Sequence, residues 1–245
     1  MNFVIPMAGE GSRFQKAGFQ KPKMLIEAHG KTLLEWSVDS LPLELCTNLI
    51  FIGLENHKYQ YNLESFIKSK YSSSSYNLNF IWLKEITRGQ AETVYKAKEL
   101  VDFKIDLLIF NIDTFFKSET LKKNLLRNDI DGLLGAFKSD KDRFSYAKLD
   151  NKGFVIETAE KVVISNYALT GLYHFKYPKD FFDICSFYIE NNILYKNEFY
   201  IAPMYNELIK HGKKFIIDLA KECWILGTPE EYEVFLNKYA NQQNY

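Results

Sequence analysis

Phe3-Val4-Ile5-Pro6-Met7-Ala8-Gly9-Glu10-Gly11-Ser12-Arg13-Phe14 is a short apolar run that gives way to a polar, glycine-bearing loop. An unbroken apolar run from Phe3 to Met7 is the pattern of a parallel strand buried on both faces. Two glycines directly after it let backbone N–H groups approach a polyphosphate, because a Cβ would block either the needed φ/ψ or the ligand. Arg13 adds a planar cation suited to phosphate, and Lys23, in Lys21-Pro22-Lys23, adds a mobile point charge.

Downstream of this loop the chain alternates. Thr32-Leu33-Leu34-Glu35 has capping-box spacing and starts a helix through about Leu41. Asn48 to Gly53 reads as a strand, Tyr59 to Lys70 as a helix, Leu78 to Leu83 as a strand, Ala91 to Leu100 as a helix and Asp106 to Ile112 as a strand. Strands alternating with helices specify an α/β sheet. After Asp113 the texture becomes a helix near Ser118 to Arg127 and short strands at 133–137, 146–149, 155–159 and 170–175, a mixed sheet set around a site. Helices near 179–191 and 201–210, a strand at 214–219 and a last helix complete the chain. That last helix has Thr228 as cap, Pro229 first and Glu231 third. No linker or internal repeat divides the 245 residues, so one domain with two lobes is expected, over about 1–113 and about 114–245.

Lys plus Arg and Asp plus Glu both total 31, so the chain lacks the basic excess of a nucleic-acid binder and the large net charge of a disordered chain. Cys46, Cys185 and Cys223 have no zinc or disulfide spacing and read as free thiols of a cytoplasmic protein. Pro6 and Gly9 interrupt the N-terminal apolar run, so a signal peptide is not expected, and no stretch nears the roughly 20 apolar residues of a membrane span. His29, His57, His174 and His211 share no spacing and are assigned to no chemistry. Aromatic residues make up 16%, enough for some rings to line a pocket as well as the core.

Two common phosphate motifs fail. A Rossmann fingerprint needs a third glycine where Phe14 stands and an acid about 20 residues on at the end of the second strand. Gly30-Lys31-Thr32 resembles the end of a P-loop, but the first glycine of that motif falls on Leu25. What does match is G-x-G-[ST]-R followed by P-K: Gly9, Gly11, Ser12, Arg13, Pro22 and Lys23 resemble, in order and spacing, the signature of the nucleotidyltransferases, also called nucleoside-diphosphate-sugar pyrophosphorylases. The resemblance covers about residues 3 to 235. It implies a three-layer Rossmann-like nucleotidyltransferase (GT-A-like) fold, with a mostly parallel central sheet and a smaller acceptor-side lobe. It also implies an enzyme that joins an NTP to a phosphorylated small molecule and releases pyrophosphate.

Residue by residue, the resemblance implies that Ala8, Gly9, Glu10, Gly11 and Ser12 wrap the triphosphate, that Arg13 steadies the leaving pyrophosphate and that Lys23 lies near the reacting phosphates. Arg88-Gly89-Gln90 is similar to the family's base-reading G-x-A stretch and adds Gly89 and Gln90. Asn111-Ile112-Asp113 ends an apolar strand, the place where ligands bind in α/β sheets. Asp113 there is the implied Mg²⁺ ligand. Glu160-Lys161 and Ser165-Asn166-Tyr167-Ala168-Leu169-Thr170-Gly171-Leu172-Tyr173 are similar to the motifs that line the acceptor pocket. They carry over Glu160, Lys161, Asn166 and Gly171, with Lys161 on the acceptor phosphate.

The chain departs from the sugar-specific pattern W-x-D-x-G-T, since Trp224-Ile225-Leu226-Gly227-Thr228 has Ile225 where the second metal ligand belongs. That ligand is then missing, or is supplied by Glu198 or Asp218, or by substrate and water. In this departure and in its short length the chain resembles the family's cytidylyltransferases, which implies CTP, with a non-sugar acceptor such as phosphocholine or phosphoglutamine, or a sugar 1-phosphate. A precursor for cell-surface polysaccharide or its modification is the implied product. A homodimer is the family-level expectation. A metal-dependent glycosyltransferase of related fold and a non-catalytic nucleotide-sensing module are the rival readings.

Overall fold

The chain is described here by a computed structural model covering residues 1–242. Strand β1 (Asn2–Pro6) leads through the glycine loop into a five-residue helix α1 (Ser12–Lys16). A small hairpin, β2 (Glu27–Ala28) with β3 (Lys31–Thr32), then feeds α2 (Leu33–Val38). β4 (Asn48–Leu54), α3 (Glu55–Tyr61), α4 (Leu63–Tyr71), β5 (Asn77–Leu83), α5 (Gln90–Tyr95) and β6 (Leu107–Phe110) complete the first half. The second half runs β7 (Thr114–Lys117), α6 (Leu121–Leu125), β8 (Gly132–Lys138), β9 (Ser145–Leu149), β10 (Val155–Glu160), β11 (Tyr167–Phe175), α7 (Pro178–Glu190), α8 (Met204–Lys210), β12 (Phe215–Leu219), β13 (Glu222–Ile225) and α9 (Pro229–Gln242).

One nine-stranded sheet carries both halves. Its backbone order is β10-β9-β11-β6-β1-β4-β5, with β8 bonded to β11 and β12 beside β8. β5, β4, β1 and β6 are parallel neighbours, and β11 enters antiparallel against β6. Alternation along the central strands makes the three layers. Phe3, Ile5, Leu49 and Phe51 pack on one face against α2, α4 and α6, while Val4, Ile50 and Ile52 pack on the other against α5, α7 and α8. Asn2, fully buried, fixes the register at the strand starts. Its Oδ1 accepts from Asn48 Nδ2 at 2.9 Å and its Nδ2 donates to the Asp102 and Ile105 carbonyls.

A third cluster sits beside the glycine loop. Phe14, Trp36, Phe115, Leu226, Phe235 and Tyr239 join α1, α2, β7 and α9 through edge-on ring contacts. Phe14 stands where a dinucleotide motif would need glycine because its ring is 1% exposed and anchors α1 to this cluster. The largest fully buried side chains are all Phe or Tyr, so most of the aromatic surplus is core.

The capping box is formed: Glu35 N donates to Thr32 Oγ1 and Thr32 N to Glu35 Oε2. Boundaries differ from the sequence expectation where the backbone turns early. The helix expected over 59–70 is two, broken at Asn62 with φ 51°. The one expected over 91–100 stops at Tyr95 and resumes as a 3₁₀ turn. β7 and β13, which pair with each other, lie in stretches expected to be loop and motif.

Candidate active site

The loop after β1 is built by two glycines with different tasks. Gly11 caps α1 at φ 67°, a left-handed conformation that a side chain would strain. A Cβ on Gly9 would meet nothing within 4 Å, so the protein's own packing does not demand glycine there and the backbone stays open to a ligand. This loop forms one wall of a cavity of about 670 Å³, with Ala8, Gly9, Glu10, Gly11 and Ser12 on one side, Gly89 and Gln90 on another, and Lys23 beneath.

A second cavity of about 530 Å³ opens beside it, lined by Arg13, Glu160, Lys161 and Gly171 from the expected set. Gln90, Asn111, Asp113, Glu198 and Tyr200 border both cavities and therefore form the wall between them. Arg13 leaves the glycine loop to reach the second cavity, the one that holds Lys161.

Local geometry explains the wall. β6 ends at Phe110, so Asn111 and Asp113 emerge at the C-terminal edge of the parallel strands. Lys23 Nζ donates to Asp113 Oδ2 at 2.6 Å, a partly buried pair. β11 slips its register against β8 between Leu169 and Tyr173, and Gly171 sits in that slip at φ 86°. A Cβ on Gly171 would lie 2.3 Å from Asn111 Nδ2, so the glycine makes the room that Asn111 occupies. Gly89, at φ 141°, has the Phe199 backbone against it, at 2.5 Å from where its Cβ would be. That contact seats the 198–200 segment on the start of α5 and leaves the Cβ side of Gly89 packed by protein.

Lys161 follows β10 in a left-handed conformation, φ 54°, and its Nζ donates to Tyr200 Oη while standing 4.7 Å from that ring's centre. Burial raises the Tyr200 hydroxyl well above the ordinary tyrosine range, so it meets Lys161 as a neutral group. Glu160 is buried and accepts from Ser145 Oγ. Burial lifts its carboxyl above the usual carboxylate range against the pull of that hydrogen bond and of Lys161.

Two expected residues lie elsewhere. Asn166, at the head of β11, is exposed and off both cavities, its Oδ1 taking a hydrogen bond from Lys138 Nζ at 3.2 Å. Asp218 is 1% exposed in β12, where Thr120 Oγ1 and Asn124 Nδ2 bond its Oδ1 at 2.6 and 2.8 Å. It serves the packing of α6 and lines neither cavity. Glu198 is exposed on the wall between the cavities. Ile225 lines the second cavity where the sugar pattern has its carboxylate.

Asn111, Arg143 and Glu231 were not singled out by motif. Arg143 pairs with Glu231 across the second cavity, and Glu231 Oε2 also accepts from Gly227 N at 3.1 Å. Arg143 hides in the charged run Lys138 to Arg143, which reads as a solvated loop. Asn111 carried the same signal as Asp113, a polar residue at the end of an apolar strand.

Among the described residues no group of three or more His, Cys, Asp or Glu side chains could hold a metal ion. Mg²⁺ asks for less, one or two carboxylates with substrate phosphates and water completing its shell. Asp113, bordering both cavities, fits as such an anchor.

Comparison with known proteins agrees with this fold. The family described as Nucleotidyl transferase matches residues 3–242. A nucleoside-diphosphate-sugar pyrophosphorylase from Vibrio cholerae RC9 is 36% identical and superposes with a TM-score of 0.84, covering 96% of this chain and 99% of that one. The inositol-1-phosphate CTP transferase from T. maritima has the same fold, with a TM-score of 0.74 over 95% of this chain and 94% of its own at 14% identity. A protein of Campylobacter jejuni subsp. jejuni named CTP:phosphoglutamine cytidylyltransferase is 26% identical over 175 residues, 68% of this chain and 62% of that protein's length. No helix among the described residues is long and apolar enough to cross a membrane.

Proposed function

The chain belongs to the nucleotidyl transferase family, and from that premise we propose that it joins an NTP, CTP in preference, to a phosphorylated small molecule and releases pyrophosphate. The observation that carries this reading is the shared wall. A glycine loop suited to a triphosphate and a pocket holding Lys161 and Arg13 meet at Asn111 and Asp113. An acceptor phosphate oxygen attacks the α-phosphorus from the second cavity, the new P–O bond forms as the bond to the β-phosphate oxygen breaks, and pyrophosphate departs along the glycine loop. The nucleophile is anionic at neutral pH, so the residues act by positioning and charge neutralisation.

In this reading backbone N–H groups from Ala8 to Ser12 bind the β- and γ-phosphates, Gly89 and Gln90 border the base, and Lys161 holds the acceptor phosphate. Arg13 and Lys23 offset charge at the reacting centre. Asp113 anchors Mg²⁺, which when bound neutralises phosphate oxygens. The first 113 residues serve the nucleotide and the rest mainly the acceptor, within one domain working in the cytoplasm.

The preference for CTP rests on the Campylobacter relative's name and on Ile225, which breaks the sugar-specific pattern. A zwitterionic phosphorylated acceptor such as phosphoglutamine or phosphocholine suits a pocket that mixes Arg13, Arg143 and Lys161 with Glu160, Glu198 and Glu231. A sugar 1-phosphate is the other candidate, supported by the Vibrio relative's name. The product is then an activated precursor for cell-surface polysaccharide or its modification. The test is a pyrophosphate-release screen of four NTPs against sugar 1-phosphates, phosphocholine and phosphoglutamine. CTP-dependent release with one acceptor class is expected, and silence with every pair overturns the reading.

A further inference from the structure

We propose that Asn111 is a catalytic residue, whose carboxamide N–H donates to a non-bridging oxygen of the α-phosphate as the acceptor attacks. The inference rests on the nucleotidyl transfer proposed above and assigns a group that the motifs leave out. If the triphosphate lies along the glycine loop and the acceptor phosphate beside Lys161, the bond that breaks and the bond that forms meet at the wall the two cavities share. Five residues border both cavities, and their chemistry differs. Asp113 and Glu198 bring negative charge. Tyr200 Oη accepts from Lys161 and is hydrogen-bonded to the Glu198 carboxylate. Gln90 directs its Nε2 at Asn111 Oδ1. Asn111 Nδ2 has no hydrogen-bond acceptor among the described residues, although its Oδ1 is fixed.

The carboxamide is also held at its oxygen end and given room at its nitrogen end. Gln90, at the start of α5, fixes the oxygen end, and Gly171, in the register slip of β11, clears the nitrogen end, where any Cβ would intrude to 2.3 Å. Three elements thus converge to orient one neutral donor. Preorganised donors of this kind act on charge that develops in the transition state and cost no reorganisation when it does. A cation at this position would pair with Asp113, two residues away, and compete for the carboxylate. A neutral amide leaves Asp113 and Lys23 undisturbed. In the step itself the electron pair of the breaking P–O bond leaves with pyrophosphate, and Asn111 keeps its proton throughout.

Two substitutions separate the donor from the scaffold. Asn111→Asp keeps an oxygen for Gln90 and removes the N–H, and Asn111→Ala removes both without adding charge. Each is expected to lower kcat about 100-fold or more. In Asn111→Ala, KM for NTP and the melting temperature should stay close to wild type. With NTP α-thio analogues, the Rp to Sp rate ratio should shift in Asn111→Ala, because one sulfur no longer replaces a hydrogen-bonded oxygen. A wild type silent with every substrate pair removes the proposed activity and this assignment with it. An active wild type whose Asn111→Ala turns over within threefold, or keeps the same thio ratio, overturns this assignment alone. A kcat loss matched by an equal loss of nucleotide binding or fold overturns it too.

Discussion

Lys23 Nζ stands 2.6 Å from Asp113 Oδ2, although 90 residues separate the two in the chain. The pair joins the 3₁₀ turn after the glycine loop to the end of β6, and it is only partly exposed, at 15% and 31% of the two side chains. An ammonium at this distance neutralises the carboxylate that a divalent ion would use, so ion binding and Lys23 compete for one oxygen pair. Asp113→Ala is expected to lower pyrophosphate release by more than about 100-fold. Chelation with EDTA should abolish wild-type release and added Mg²⁺ should restore it. Asp113→Ala leaves Lys23 an uncompensated, partly buried charge, and the Lys23→Ala/Asp113→Ala double variant should regain melting temperature over Asp113→Ala. Additive losses in that cycle, or activity indifferent to EDTA, count against the pair's role.

Tyr200 governs the second cation. Its hydroxyl accepts from Lys161 and its ring lies under the same ammonium. Tyr200→Phe keeps the ring and deletes the acceptor, a change of about 1.5–3 kcal/mol for a hydrogen bond to a charged group. Acceptor KM is expected to rise by about tenfold to 100-fold with NTP KM little changed, since Lys161 lines the second cavity and not the glycine-loop cavity. Steady-state kinetics with each substrate varied in turn decide it. A shift confined to NTP KM places Tyr200 on the nucleotide instead.

The central fold was legible because Phe3–Met7, Asn48–Gly53 and Asp106–Ile112 each bury both faces, and such runs have few alternatives to a parallel sheet. The glycine loop was legible because Gly9 and Gly11 answer local demands, an open approach and a positive φ. Asn111 and Tyr200 were harder, since their neighbours come from β11, α5 and the 195–200 turn, and no short-range pattern records contacts assembled by topology. The place of Asp218, off both cavities, was hidden for the same reason. A buried carboxylate bonded by Thr120 and Asn124 looks in sequence like any acid at a strand. The paired β7 and β13 escaped notice because each is four residues long and exists by pairing with the other.

Glu160 gives a pH signature. Burial raises its carboxyl above the ordinary value of 4.5, although Ser145 and Lys161 favour the charged form. Between 4.5 and the raised value the folded protein keeps a proton that the unfolded chain has released, so this residue makes stability fall as pH rises through that window. Above it, the cost of a buried charge remains constant. Glu160→Gln removes the titration and can still accept from Ser145. The variant's stability relative to wild type should therefore grow with pH upward from 4.5 and then level off. Urea unfolding at several pH values between 4 and 8 measures the difference, and a constant gap across that range excludes the effect.

Gly89 tests how the two cavities are coupled. At φ 141° it lies outside the range that L side chains adopt easily, and a Cβ would come within 2.5 Å of Phe199 N and 2.7 Å of Phe199 O. Those two backbone atoms are already engaged, Phe199 N donating to Arg88 O at 2.8 Å and Phe199 O accepting from Ala91 N at 3.0 Å. Neither can retreat without breaking a hydrogen bond, so Gly89→Ala must shift the whole 198–200 segment. Glu198 and Tyr200 border both cavities from that segment. The strained backbone alone costs on the order of 1–3 kcal/mol. Gly89→Ala is therefore expected to lower the melting temperature and to raise KM for NTP and acceptor together. A glycine that served only to let a base approach would change NTP KM and leave acceptor KM and melting untouched. The two outcomes are separated by measuring all three quantities on the same variant.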